Sequence, residues 1–219
     1  MQAILLPVKD LSLAKRRLSG TLPQETRTRL ARAMLEDVFC AVAGMRTRVP
    51  VFVVSSDPVA LAAARARGWE CLTESMQHSE SRSVDAASRT CAARGITTLL
   101  RLPIDIPLVR PADIEAVLSA SPPAPGVVLV PSRSASGTNA LLRTPPALFP
   151  SHFGPGSLHK HLEEAGRCRA HTRLLRNPRI ELDVDDEPDL RALAARNDLG
   201  EHTAALLREL HLGRRAAHR

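Results

Sequence analysis

Short apolar runs alternate along this chain with stretches whose apolar positions recur every three or four residues. Ala3 to Val8 is apolar throughout, as a strand covered on both faces must be. A polar loop runs from Lys9 to Gly20. Thr21 and Gln24 then read as a capping box, with Pro23 tolerated in the first turn. Leu30, Met34, Val38 and Ala41 follow at helical spacing. Val49 to Ser55 reads as a second buried strand, and Asp57-Pro58 opens an alanine-rich helix that closes near Gly68. Glu70 to Thr73 reads as a short strand, Met76 to Arg82 as a polar loop, and Val84 to Arg94 as a helix ending at Gly95. Thr97 to Leu102 is a strand that runs straight into Pro103-Ile104-Asp105-Ile106-Pro107, and Pro111 starts the next helix. Val127 to Val130 and Asn139 to Leu142 read as strands flanking a loop of small residues from Ser132 to Gly137. Phe153 to Ser157 leads into a helix reaching Ala165, a last strand pair ends in Ile180 to Asp185, and Asp186-x-Pro188 caps another helix. Strands and helices in this alternation predict an α/β fold, a mostly parallel central sheet with helices on both faces.

No linker or internal repeat divides the chain. A single domain is expected over 1–212, and the basic tail at 213–219 is expected to fray. With four Phe, one Trp and no Tyr, the core falls to Leu, Val, Ile and Ala. The same shortage argues against a reader of single-stranded nucleic acid, which stacks bases on aromatic side chains. The net charge of +7 allows nucleic acid, an acidic membrane surface or anionic small substrates as partners. Most of the surplus is Arg scattered through alanine-rich helices, the reading expected of solvated faces. Lys15-Arg16-Arg17 is a denser cluster and suits a phosphate-rich substrate. Cys40, Cys71, Cys91 and Cys168 are too far apart in sequence to form a metal-type pair, and Cys40 and Cys71 read as small buried hydrophobes. The first residues enter a strand with no charged leader, and no apolar run approaches the ~20 residues of a membrane span. A cytoplasmic protein without membrane attachment is expected. Leu190 to Leu212 offers an apolar helical face, for the core or for a partner copy in a homodimer.

The acids are the informative feature. Asp105 follows a buried strand between two prolines, and ligands of open α/β sheets bind beyond the carboxyl ends of the strands. Asp183 and Asp185 alternate, which on a strand puts both side chains on one face. Three carboxylates at one sheet edge repel unless a cation joins them, and hard oxygen donors suit Mg²⁺, which takes one or two carboxylates plus substrate phosphates. Asp186 and Asp189 are ordinary acids at a helix start. Lys9, Lys15 and Arg16 occupy the loop after the first strand, where nucleotide phosphates commonly lie, although no glycine-rich phosphate loop is present. Ser136-Gly137-Thr138-Asn139, with Gly154 and Ser157, adds small residues and hydroxyls, by themselves turn and capping chemistry. The histidines form no H-x-x-x-H pair with a nearby acid, so zinc is not expected.

Taken together, Pro7-Val8-Lys9 with Ala14-Lys15-Arg16-Arg17-Leu18, the segment Pro103 to Val109, Ser134 to Leu141, Phe153-Gly154-x-x-Ser157 and Asp183 to Leu190 resemble the phospholactate guanylyltransferase family of coenzyme F420 biosynthesis. The resemblance spans residues 4 to 191, with five motifs in order. It implies a Rossmann-like fold of the GT-A nucleotidyltransferase type. It also implies a reaction in which GTP and a small phosphorylated carboxylic acid give a guanylyl-diphospho acid and pyrophosphate, with the product passed to a downstream transferase. By position it implies Asp105, Asp183 and Asp185 as Mg²⁺ ligands, and Thr138, Gly154 and Ser157 as the residues that hold the acid. Lys9, Lys15 and Arg16 fall at the nucleotide loop. Where many members carry Gly-x-x-Asn before a helix, this chain has Glu80 to Asp85, with Asp85 at the place of the Asn and so at the nucleotide.

The acids used in that family include 2-phospho-L-lactate, phosphoenolpyruvate and 3-phospho-D-glycerate, and the sequence leaves all three open. Because the attacking phosphate is already anionic, no general base is required, and catalysis rests on positioning and electrostatics. A molybdopterin- or sugar-phosphate-type nucleotidyltransferase of the same fold is the alternative, although its glycine-rich first loop is missing. A basic nucleic-acid-binding protein is the more remote one.

Overall fold

The computed structural model describes residues 1–74 and 79–212. The loop expected at Met76 to Arg82 therefore lies partly outside the described residues, and the basic tail at 213–219 wholly outside them. The strands are β1 (Gln2–Val8), β2 (Val51–Ser55), β3 (Glu70–Thr73), β4 (Thr98–Arg101), β5 (Gly126–Pro131), β6 (Thr138–Thr144) and β7 (His171–Leu174). The helices are α1 (Gln24–Ala43), α2 (Pro58–Ala66), α3 (Glu80–Ala93), α4 (Pro111–Ser119), α5 (Ser157–Arg167), α6 (Pro178–Glu181), α7 (Glu187–Ala194) and α8 (Glu201–Glu209).

One sheet forms in the order β3-β2-β1-β4-β6-β5-β7. Its pairs are parallel except where β6 meets β4 and β5. Because β6 is reversed, its first residues, Thr138 and Asn139, arrive at the edge where β1, β4 and β5 end. Alternate residues of β1 feed opposite faces, as the pleat requires. Ile4, Leu6 and Val8 pack with Leu35, Val38 and Phe39 of α1 and with Ile114 and Val117 of α4. Ala3 and Leu5 pack with Phe52 and with Val84, Ala87 and Cys91 of α3. Farther along that second face, Val127, Leu129 and Leu141 meet Leu158 and Ala165 of α5. Each such buried Leu or Val side chain contributes about 1.5–3 kcal/mol. The sheet edge that carries the loops is thus held by packing on both sides.

Several expectations need correction. Helix α1 begins at Gln24 behind Pro23 with no side-chain cap, and the Thr21 hydroxyl instead donates to Glu187 at 3.1 Å. Helix α3 starts at Glu80, ahead of the expected Val84, because the Ser79 side chain caps its first turn. Of the last strand pair, β7 is present but Ile180 to Asp185 is not a strand. Asn177 accepts from the N–H groups of Arg179 and Ile180, and Pro178 fits the first helical position, so the chain makes the short helix α6. Cys40 is exposed rather than buried, and Cys91 is the enclosed thiol. Among the described residues no helix is long and apolar enough to cross a membrane.

The apolar face of Leu190 to Leu212 packs on this chain's own α1. Leu190, Leu193, Leu206 and Leu207 meet Leu30 and Met34. The buried Asp37 of α1 locks that junction by accepting from His202 N–H at 3.0 Å and Thr203 N–H at 2.8 Å, capping α8 from outside. A Cβ at Gly200 would meet the Asp37 carboxylate at 2.2 Å, so only glycine allows this approach. Asp37→Ala is expected to lower unfolding free energy by about 1–3 kcal/mol in urea titrations, since it orphans two N–H groups. The cleft described next lies elsewhere, so turnover of the folded variant is expected to stay at the wild-type value.

Candidate active site

The loop after β1, the loop after β4, the turn between β5 and β6, and the segment after α6 converge on one open cleft of about 1260 Å³. Lys9, Lys15, Arg16, Asp105, Thr138, Gly154, Ser157, Asp183 and Asp185 all line it. Asp85 does not. It lies on α3, where its carboxylate accepts from Ser151 N–H at 3.0 Å and sits 3.7 Å from the buried Arg143 guanidinium. Its charge balances a cation inside the fold.

Part of its lining is electrostatic. The Lys15 ammonium, only 8% exposed, lies 2.6 Å from Asp105 and 3.3 Å from Asp185, and Arg17 reaches Asp185 at 3.7 Å from the solvent side. Burial alone would lower the Lys15 pKa, but Asp105 and Asp185 outweigh it and hold it above the ordinary value. Burial likewise works to raise Asp105, and Lys15, helped by Arg101, more than offsets this, so its carboxyl stays below the usual range. Asp183 makes no ion pair among the described residues. Burial, then the nearby Asp105 charge, push its pKa up to about 6, while the Asn139 amide donates to it at 3.1 Å. Although no strand carries Asp183 and Asp185, Val184 N–H bonds to Asp105 O at 3.1 Å and pins the two segments together. Lys15 adopts a left-handed backbone, φ 53° and ψ 44°, a conformation that a non-glycine residue keeps only where its surroundings impose it.

The donor set fits a hard divalent cation. Three carboxylates gather around one buried ammonium, and Asp183 is raised by burial first and by the Asp105 charge second. Their oxygens are not gathered into a closed cage. Among the described residues only Glu36, Cys40 and His202 bring three ligand atoms within 4.8 Å of one another. That second group already holds a cation, since Arg67 pairs with Glu36 at 2.6 Å and lies over the Phe39 and Trp69 rings.

Hydroxyls, backbone and one guanidinium complete the lining. Gly154 has φ +115° and Gly156 φ +70°, which turn the chain into α5 so that Ser157 opens the helix. Ser157 Oγ accepts from Thr138 N–H at 2.8 Å, and Thr138 Oγ1 lies 3.0 Å from His161 Nδ1. Sequence reasoning missed Arg101. At the end of β4 it is 5% exposed, lies under the Phe153 ring at 4.1 Å, donates to Asn139 O at 3.0 Å and pairs with Glu80. Its Nε finds no partner among the described residues, and burial lowers its pKa to about 10. The available signal was a charged residue inside an otherwise apolar strand, since such residues are almost never buried without a partner.

Comparison with known proteins places the chain in a family. A family model described as guanylyl transferase CofC like matches residues 1–218. The chain is 38% identical over 190 residues to a phosphoenolpyruvate guanylyltransferase of Rubrobacter xylanophilus, covering 87% of this chain and 92% of that protein. It is 32% identical over 199 residues to the protein of the same name from Chloroflexus aggregans, covering 89% and 98%. Among solved structures, one named as a nucleotide-diphospho-sugar transferase from Desulfovibrio desulfuricans superposes with a TM-score of 0.77 at 18% identity, covering 96% of this chain and 95% of that one. The CMP:2-keto-3-deoxy-manno-octonic acid synthetase complexed with CTP gives 0.58 at 13% identity, covering 95% and 99%. Those two likenesses concern the fold, a Rossmann-like α/β sheet of the nucleotidyltransferase kind. By the family match and the identity of its relatives, the chain belongs to the CofC-like guanylyl transferases.

Proposed function

We propose that this chain transfers the guanylyl group of GTP to phosphoenolpyruvate and releases pyrophosphate. The observation that carries the reading is the lining of one cleft. It brings carboxylates and Lys15 together with Arg101 and paired hydroxyls. Such a cleft has room for a nucleotide and for a second, small anionic substrate. The relatives' shared name favours phosphoenolpyruvate over 2-phospho-L-lactate and 3-phospho-D-glycerate.

An oxygen of the acid's phosphate attacks the α-phosphorus of GTP in line. The new P–O bond forms as the bond to the β-bridging oxygen breaks, and pyrophosphate takes the electron pair. No proton need move, because the attacking phosphate oxygen is already anionic. Thr138, Ser157 and the Gly154 backbone receive the acid, and Arg101 opposes its carboxylate charge. Lys9 and Arg16, exposed on the rim, and Lys15 beneath them oppose the β- and γ-phosphates as charge builds on the leaving group. Asp105, Asp183 and Asp185 would hold Mg²⁺, whose chemistry is to neutralise the α-phosphate and bring the two anions together. The product is a mixed phosphoric anhydride, an activated group suited to a following transfer in coenzyme F420 biosynthesis.

The test is pyrophosphate release with GTP, Mg²⁺ and each of the three acids, with ATP and sugar phosphates as controls. Turnover is expected with GTP and phosphoenolpyruvate. Turnover with a sugar phosphate and none of the acids would overturn the reading in favour of another nucleotidyltransferase of this fold.

A further inference from the structure

The sequence places Ser157 and His161 four residues apart on α5, so one helical face presents both. Both meet the first residue of β6. Ser157 Oγ takes the Thr138 N–H at 2.8 Å, and His161 Nδ1 lies 3.0 Å from Thr138 Oγ1. His161 is fully buried, with the Phe153 ring edge-on at 5.2 Å.

The direction of each bond follows from the far side of the ring. The backbone N–H of His152 points at His161 Nε2 from 2.9 Å, and a backbone N–H can only donate. Nε2 therefore carries the lone pair. Burial, with Arg143 and His152 nearby, lowers the pKa of His161 to about 3, so the ring is neutral. Its single proton then sits on Nδ1 and is donated to Thr138 Oγ1. Thr138 Oγ1 and Ser157 Oγ both accept from the protein, and neither has a further partner among the described residues. Both residues belong to the lining of the cleft, nearly buried at its floor.

We propose that His161 is a positioning residue, which by its Nδ1–H tautomer makes the Thr138 hydroxyl a donor aimed at the anionic oxygens of the acid substrate, beside a Ser157 hydroxyl that the Thr138 backbone N–H turns the same way. Phosphate and carboxylate oxygens only accept, so a pair fixed as donors is pre-oriented for them, whereas freely rotating hydroxyls must first be ordered. The inference rests on the phospho-acid reading for its substrate, while the wiring stands on the protein alone.

Two measurements separate those levels. Nitrogen-15 NMR of the histidines in the substrate-free protein is expected to show His161 neutral and protonated at Nδ1. The Nε2–H tautomer or a charged ring overturns the wiring, whatever the enzyme does. Kinetics then test its use. His161→Leu is expected to raise KM for phosphoenolpyruvate about tenfold while KM for GTP moves less than about twofold, because one donor loses its orientation. Combining it with Thr138→Val is expected to cost no more than Thr138→Val alone, because the two act as one unit. His161→Asn, whose amide nitrogen can overlie Nδ1, is expected to recover most of the loss, and His161→Gln, whose amide overlies Nε2, is not. That Asn and Gln contrast also decides the matter if the Leu variant fails to fold. Equal rises in both KM values, or multiplying effects in the double variant, overturn the proposal. Absence of pyrophosphate release by the wild-type protein with any phospho-acid would instead sink the substrate reading and leave the NMR result to judge the wiring.

Discussion

Asp105→Asn is expected to cut pyrophosphate release by roughly 10²–10³-fold, the scale on which losing one pre-organised charge partner at a reacting phosphate is felt. Asparagine keeps the shape of the side chain and can still accept one hydrogen bond, so the fold is preserved and the change falls on charge. Two consequences separate it from a general weakening. Saturating Mg²⁺ is expected to restore only part of the rate, because a neutral oxygen replaces a carboxylate in the donor set. The Lys15 ammonium, 2.6 Å from Asp105 and only 8% exposed, keeps Asp185 at 3.3 Å as its partner, so a lowering of stability by about 1–3 kcal/mol is expected as well. Steady-state turnover against Mg²⁺ concentration, with a melting curve on the same sample, reads all three. Wild-type turnover at saturating Mg²⁺ would show that this carboxylate is not part of the machinery.

Asp105 was legible because its surroundings are local. A buried strand followed by a proline-flanked acid places that acid just beyond the strand's carboxyl end, and Val8 and Lys9 gave the same signal for β1. Asp183 and Asp185 were legible as residues and misread as structure. Ile180 to Asp185 alternates apolar and acidic positions with the period of a strand, yet Asn177 and Pro178 upstream supply a helix start that wins locally. The two acids reach the cleft on an irregular segment pinned by Val184 to Asp105.

What the sequence could not disclose depends on contacts far apart in the chain. The reversal of β6 is fixed by its register with β4 and β5, including an irregularity at Val130/Pro131, and nothing in Asn139 to Leu142 alone encodes direction. Arg101 needed Glu80, Phe153 and Asn139 O around it to be buried at all, and these come from α3, the loop before α5, and β6. Asp85 looked like a substitute for a nucleotide contact, but its place beside Arg143 on β6 appears only when the sheet is assembled. His161 passed as one of several unremarkable histidines. Its spacing from Ser157 was the available clue, and the partner that gives it meaning, Thr138, lies 23 residues upstream.

Lys15→Met carries the second large expectation, and its two effects run in opposite directions. Methionine fills a similar stem volume and removes the charge. Between Asp105 and Asp185 the ammonium already supplies the neutralisation that a divalent cation would bring, so on the proposed mechanism the two would compete for the same carboxylates. At an effective dielectric of about 20, a unit charge pair near 4 Å is worth about 4 kcal/mol. Loss of even a third of that from the competitor corresponds to a Kd for Mg²⁺ lowered about tenfold in the nucleotide-free protein. Turnover is nonetheless expected to fall by roughly 10²-fold, because a buried cation is gone from the place where leaving-group charge develops. Removing a charge and tightening a metal while slowing the reaction is a combination that simple damage does not produce. Calorimetric titration of Mg²⁺ into the variant, set beside its rate of pyrophosphate release, distinguishes the cases. Weaker Mg²⁺ binding together with slower turnover would mean that Lys15 props the acids in place rather than competing for them, and its left-handed backbone would then be strain held for the fold and not for the exchange of partners.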